Sequence, residues 1–463
     1  MSNIKRRYRM KKYDLIVIGE SAAGVVAAMT ARKYYPEKSI LMIRDVKDVP
    51  IPCGIPYIYG TAHDAMKNLI PVANIEKGNN LEAVIGKVED VDRVNKTLEL
   101  CGEVYQYDRL VLATGSKPII PPIKGVDLKN IFCVEKNPEY LQKIYDQLKD
   151  TKNVVVMGGG FIGCEMAEEI KKHDKSINVT VVEMQENLLK IVYDKEFCEL
   201  AETALANQDI NILTKEKVVE FVGETFVKGV KLESGKVLDA DMVILGIGAR
   251  ANTDLAEKIG LELGEGRGIK VNRYMVTSDE AIFACGDCAD KDSFFDHKPS
   301  MLKLASIATM EARIVGTNLF KYRRINRGVV GCFSTVLGGN VFAAAGLNED
   351  EAKRKGFEVV TAVAESINRH PGLMPGGQNL RVKLLFEKGT RGIVGGEIYG
   401  AYSGGELINA ISAFISKEMT ADEIVLFQAG THPALTASPI AYQLVNAAEN
   451  ALVKLTNEYS IDN

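Results

Sequence analysis

The sequence predicts an α/β protein with two Rossmann-like folds and a C-terminal α+β region. Three observations predict it. Two strand, glycine-turn, helix, strand units stand in matching register near residues 15–43 and 153–183; two further strands run into glycine turns at 107–116 and 281–289; and a series of strand-like segments begins near residue 326. At 463 residues the chain exceeds what one compact core sustains, so several domains are expected.

The chain opens on a basic cluster, Lys5, Arg6, Arg7, Arg9, Lys11 and Lys12, which reads as a solvated terminus or as a contact for an anionic partner. The apolar run behind it is short and enclosed by Asp14 and Glu20, unlike a signal peptide. A net charge of −4 gives no nucleic-acid footprint, and no apolar run approaches the roughly 18 residues of a membrane span.

From Tyr13, the strand Leu15 to Ile18 meets Gly19-Glu20-Ser21-Ala22-Ala23-Gly24, a helix to Tyr35 and a strand Ile40 to Ile43. This unit places a pyrophosphate on a helix N-terminus. Ser21 replaces the middle glycine, and Arg44, followed by Asp45, stands where a carboxylate grips a ribose. A second unit is complete. Asn153 to Met157 leads into Gly158-Gly159-Gly160-Phe161-Ile162-Gly163, a helix to about Lys172, and Val179 to Glu183. Glu183 follows Gly163 by the same interval as Arg44 follows Gly24. A carboxylate there accepts from a ribose diol and repels a 2′-phosphate, which favours NADH over NADPH.

Between and after these units come Tyr107 to Ser116, a strand into Thr114-Gly115, and Ala281 to Ala289, a strand into Gly286-Asp287. Pro118, Pro121 and Pro122 mark a domain crossing, and the chain returns through Gly246 to Asn252. Strand-like segments then span 329–337, 359–364, 381–386 and 392–397, and a helix is expected over 406–416.

Cysteines at 53, 101, 133, 164, 198, 285, 288 and 332 are scattered over different elements, which favours free thiols and a cytoplasmic setting. Cys285 and Cys288 have redox or metal spacing, but the five histidines are dispersed and no four-ligand zinc site is expected. Cys53 differs from the rest. Val49-Pro50-Ile51-Pro52-Cys53-Gly54-Ile55-Pro56-Tyr57 is a proline-bounded bend that presents one sulfur.

These motifs in this order, from about Tyr13 to Ile440, resemble the pyridine nucleotide-disulfide oxidoreductases. The resemblance implies FAD on Gly19, Ser21 and Gly24, with Arg44 and Asp45 at its ribose, Thr114 and Gly115 closing the FAD domain, and Asp287 on the ribityl chain. It implies NADH on Gly158, Gly160, Gly163 and Glu183. An FAD-binding domain of residues 10–118 and 250–325, an NAD-binding domain of 119–249 and a dimerisation domain of 326–463 follow, the last forming a homodimer. Cys285 and Cys288 then merely enclose the Gly-Asp turn.

No second cysteine lies at Cys-x4-Cys spacing, since positions 48 and 58 are Asp48 and Ile58. The chain therefore resembles the single-cysteine group: coenzyme A disulfide reductases, NADH oxidases and peroxidases, and persulfide and polysulfide reductases. In that group electrons pass from NADH through FAD to sulfur on Cys53, whose thiolate needs a helix N-terminus or a cation nearby; the apolar run after Cys53 is the expected helix. Phe161 is expected to gate the flavin and Glu165 to set the nicotinamide.

Ala22 stands where the oxidases and peroxidases carry a histidine, and Leu373 and Met374 stand where the coenzyme A disulfide reductases carry tyrosines. Gly430 to Thr436 resembles the His-Pro segment of two-cysteine reductases, making His432 either an acid/base for the partner's cysteine or a structural residue, with the orienting glutamate replaced near Ala437. Arg32 and Lys33 either hold coenzyme A phosphates or form an ordinary exposed helix face. The expected function is reduction of a small disulfide, persulfide or polysulfide. The alternatives are an NADH oxidase and a flavin reductase for a small redox protein.

Overall fold

A computed structural model describes residues 10–459, so Lys5, Arg6, Arg7 and Arg9 lie outside the described residues. Strand Lys11–Ile18 pairs in parallel with Ile40–Arg44 on one side and Glu103–Leu112 on the other. Ile282–Ala284 joins the far side of Glu103–Leu112, bringing a segment some 170 residues later into the first sheet. Helix Ala22–Tyr34 packs on helix Ala305–Asn318, so both parts of the chain share one core around Leu15, Ile16, Leu110, Ile282 and Ala312. The sheet is mostly parallel and covered by helices, which explains its continuous apolar strands.

The second sheet is formed wholly within residues 131–245. Its order is Ile210–Leu213, Asn178–Val182, Asn153–Met157, Met242–Leu245, Ile131–Cys133, all parallel. A three-stranded antiparallel sheet over 218–239 lies beside it. Where the chain enters and leaves this region, Ser116–Pro118 pairs antiparallel with Ala249–Ala251. The two crossing segments therefore form one ribbon, with Pro118 at its end.

The C-terminal sheet is antiparallel, in the order Cys332–Leu337, Asn340–Gly346, Ile393–Gly400, Asn379–Glu387, Val359–Ile367. Helices Gly404–Ser416 and Gln443–Tyr459 pack on it. Strand Asn340–Gly346 goes unannounced by the sequence pattern because its centre is Ala343-Ala344-Ala345, a residue type depleted in strands. Among the described residues no helix is long and apolar enough to cross a membrane.

The segment after Cys53 differs from expectation. It forms a tight turn over Pro52–Gly54 and a π-turn over Ile58–Ala62, with no regular α-helix at the cysteine. Ile55, Ile58 and Tyr59 instead bury themselves in the second core with Val154, Cys164 and Ile170. Gly60 lies so close to helix Phe161–His173 that a Cβ there would stand 2.3 Å from the Glu169 carbonyl oxygen. The cysteine bend is thus seated between the first and second nucleotide folds by apolar packing.

Candidate active site

The two glycine turns have the same geometry. Gly19 and Gly158 adopt φ of 105° and 106°, which favours glycine. A Cβ on Gly24 would stand 1.8 Å from the Gly19 carbonyl oxygen, and one on Gly163 1.9 Å from that of Gly158. A Cβ on Gly160 meets no protein atom within 4 Å, which is why Ser21 is tolerated at the matching place. Both following helices begin without a side-chain cap and without an acidic residue in the first turn. Uncapped N–H groups beside an open face fit a pyrophosphate.

At the ribose point of the second fold, Glu183 accepts from the Gly159 N–H at 2.6 Å and from the Gln185 N–H at 2.7 Å. Its carboxylate is held at the strand end with lone pairs left over. In the first fold Arg44 occupies that point and is ion-paired to Glu20 and Glu76, while Asp45 is exposed.

The Thr114-Gly115 turn is closed by the returning segment: Thr114 donates to the Asn252 carbonyl at 2.7 Å, and Asn252 N–H donates to that of Gly115 at 2.9 Å. Asp287 accepts from the Ser116 hydroxyl at 2.7 Å and from Lys136 Nζ at 3.4 Å. Beneath it, a fully buried pair clamps the turn. Lys291 donates to the Gly286 carbonyl at 2.6 Å and to Glu311 at 3.2 Å, and Glu311 accepts the Gly286 N–H at 2.8 Å. Cys285 and Cys288 are free thiols buried behind this turn, with Cys288 donating to the Leu112 and Cys285 carbonyls.

Cys53 is a free, exposed cysteine. Its bend is clamped by Asn68, whose carbonyl accepts the Ile51 N–H and whose amide donates to the Ile51 carbonyl, both at 2.9 Å. Protein packed around the thiol raises its pKa, the Glu165 carboxylate and Asp287 add to that rise, and Lys136 opposes it. The expected support from a helix N-terminus is corrected here, because only short turns flank Cys53; the cation whose charge favours the thiolate is Lys136. Cys53, Asp287 and Glu165 are therefore brought into one electrostatic neighbourhood from three separate stretches of sequence.

Residues 13–312 match the family model described as pyridine nucleotide-disulphide oxidoreductase, and residues 334–440 match the dimerisation domain of the same family. The chain belongs to the pyridine nucleotide-disulphide oxidoreductase family. It is 32% identical to an NADH oxidase of Enterococcus faecalis over 89% of this chain and 94% of that one. It is 31% identical to an NAD(P)H coenzyme A polysulfide/persulfide reductase of Pyrococcus horikoshii over 85% and 88%. Among solved structures, an NAD-dependent persulfide reductase from A. fulgidus superposes with a TM-score of 0.88 at 29% identity, covering 96% of this chain and 84% of that one. As a pyridine nucleotide-disulphide oxidoreductase the protein is an FAD- and NAD(P)H-dependent enzyme, and the two glycine turns fit those groups.

In this oxidoreductase Phe161 stacks on Phe333 with ring centres 5.3 Å apart and planes 6° from parallel. Glu165, one helical turn on, accepts from Thr335 at 2.6 Å, and burial pushes its pKa up to about 7. Phe333 and Thr335 both come from the C-terminal strand Cys332–Leu337, and sequence reading missed them with Lys136 because no motif marks them. Arg32 donates to the carbonyls of Pro36, Lys38, Asn79 and Asn80, which commits four of its five guanidinium N–H groups within the protein. Lys33 is exposed at the same helix end.

The two C-terminal segments singled out in the sequence form one lobe. His370 N–H donates to the Pro433 carbonyl at 3.3 Å and Arg369 to that of Leu435 at 3.0 Å. His432 is exposed, and its Nδ1 accepts from the Ala434 N–H at 3.2 Å. Leu373, Leu435 and Ile440 are exposed on this lobe, at 95%, 65% and 88%, an apolar surface of the kind a subunit contact covers.

Proposed function

We propose that the protein is an NADH-preferring reductase of small disulfides, persulfides or polysulfides that works through Cys53 as a homodimer. The observation that carries the reading is an exposed Cys53 on a proline-bounded bend within the electrostatic influence of Asp287 and Glu165, with no second thiol at resolving spacing. Residues 10–118 and 250–325 hold FAD, with Asp287 toward its ribityl chain and Thr114 and Gly115 at the domain closure. Residues 119–249 hold NADH, with Gly158, Gly160, Gly163 and Glu183 on the dinucleotide and Glu165 beside the nicotinamide. Phe161, stacked on Phe333, is the side chain that moves aside for it.

FAD, when bound, relays the two electrons of NADH to sulfur. The protein supplies the rest. Cys53 thiolate attacks the carrier sulfur of a persulfide, forming a mixed disulfide and expelling hydrosulfide; two electrons and one proton then free the carrier thiol and restore the thiolate. The sum is NADH plus RSSH giving NAD⁺, RSH and HS⁻. Lys136 favours the thiolate, and His432 of the second subunit gives or takes the proton at the leaving sulfur. Free thiols at all eight cysteines support a reducing, cytoplasmic setting. A coenzyme A carrier is favoured by the likeness to the coenzyme A polysulfide/persulfide reductase of P. horikoshii.

Replacing Cys53 by Ser tests this reading. NADH-dependent bleaching of the FAD absorbance should persist while sulfide release from coenzyme A persulfide is lost. Unchanged sulfide release would refute it. Oxygen consumption at the wild-type sulfur rate would instead support the second reading, an NADH oxidase, which the E. faecalis relative favours and Ala22 disfavours.

A further inference from the structure

The ribose points of the two folds are built with opposite polarity. In the second fold position 159 has no side chain, and a Cβ there would stand 3.1 Å from that of Glu183, whose carboxylate turns back onto the loop. In the first fold the loop position carries Glu20 and the strand end carries Arg44. Arg44 Nη1 donates to both Glu20 Oε2 and Glu76 Oε1, the latter from helix Val72–Gly78. The Glu20 side chain is fully buried and that of Arg44 is 10% exposed. Glu20 Oε1 and Arg44 Nε are buried without a partner, whereas Arg44 Nη2 makes no hydrogen bond among the described residues and is not enclosed. A buried charge cluster with orphaned atoms is a poor source of stability, so its retention asks for another reason.

We propose that Arg44, pinned by Glu20 and Glu76, reads the adenosine ribose of FAD as a hydrogen-bond donor through Nη2, in place of the usual accepting carboxylate. The inference rests on the assignment of FAD to the first fold. Two carboxylates on one guanidinium leave the cluster with no net positive charge, so it suits a neutral diol and disfavours a 2′-phosphate. Glu20 and Glu76 are positioning residues, and Asp45, exposed and outside the cluster, is not part of it.

The test titrates the full-length protein, stripped of flavin, with FAD and with an FAD analogue carrying 2′,3′-dideoxyadenosine, following flavin fluorescence. Wild type should prefer FAD by about tenfold, the worth of one charge-assisted hydrogen bond. Arg44→Met and Arg44→Lys should lose that preference through weaker FAD binding, with the analogue's affinity unchanged. The double variant Glu20→Gly, Arg44→Glu, which copies the Gly159 and Glu183 pair, should regain it. Unaltered preference in either single variant overturns the proposal, as does equal weakening for both ligands; if Arg44→Met does not fold, Arg44→Lys decides between the same outcomes. A Gly24→Val control separates the role of Arg44 from the assignment beneath it. If that variant still binds FAD with wild-type affinity, the assignment of FAD to the first fold has failed rather than the role of Arg44.

Discussion

Lys136 Nζ lies 3.1 Å from the Ser116 hydroxyl and 3.4 Å from the Asp287 carboxylate. The ammonium is thereby held at the Gly286-Asp287 turn, and its charge opposes the pKa rise that the protein packed around the thiol and Glu165 impose on Cys53. After the surrounding protein itself, the Glu165 carboxylate and the Lys136 ammonium, on elements that meet only in the folded chain, act on the thiol in opposite directions.

The first prediction follows from that opposition. Glu165→Gln should move the pH profile of Cys53 alkylation by iodoacetamide to lower pH, and Lys136→Met should move it to higher pH. Shifts in the same direction, or none, would show that these groups do not govern the thiol.

Glu165 also carries a stability signature. Its folded pKa, about 7, is raised above the ordinary 4.5, so the native state binds more protons across that window and stability falls as pH rises through it. Glu165→Gln cannot ionise. Its melting temperature should match wild type near pH 4.5 and exceed it increasingly up to pH 7, with the gap constant above; differential scanning calorimetry reads this directly.

A third prediction concerns how Cys53 is seated. Gly60→Ala drives a methyl against the Glu169 carbonyl oxygen, an overpacking worth about 1–3 kcal/mol. Because Gly60 shares its segment with Ile58 and Tyr59, the variant should lose both stability in urea and sulfur-dependent turnover. NADH-dependent FAD bleaching should survive in the fraction that remains folded.

The proposed preference for NADH rests on Glu183. Glu183→Ala removes the acceptor for the ribose diol and the repulsion of a 2′-phosphate, so kcat/KM for NADH should fall by about tenfold while that for NADPH rises. A wild-type ratio of the two in steady-state kinetics would move the selectivity elsewhere.

Much of this organisation is legible in the chain because each nucleotide fold is local. Strand, glycine turn, helix and the residue at the ribose point fall within about 30 consecutive residues, and Pro52-Cys53-Gly54 declares itself by backbone chemistry alone. The seating of Cys53 is not local. Ile58 and Tyr59 read as the start of a helix, yet they are claimed by a core built from residues such as Val154, Cys164 and Ile170, far along the chain, and a π-turn results. Lys136, Phe333 and Thr335 carry no motif and acquire meaning only through their tertiary partners. Glu20 is visible in the first turn, but its link to Arg44 requires knowing that the two positions face each other across the loop.

Everything proposed for the chemistry turns on substrate sulfur being held on Cys53. Flavin-loaded enzyme can be mixed with one equivalent of coenzyme A disulfide without NADH, its remaining thiols blocked with iodoacetamide, and its peptides mapped by mass spectrometry. A coenzyme A adduct should appear on the Cys53 peptide and be absent when NADH is added before blocking. An adduct confined to Cys101 or Cys332, or a Cys53 adduct that NADH leaves untouched, would contradict that role for Cys53.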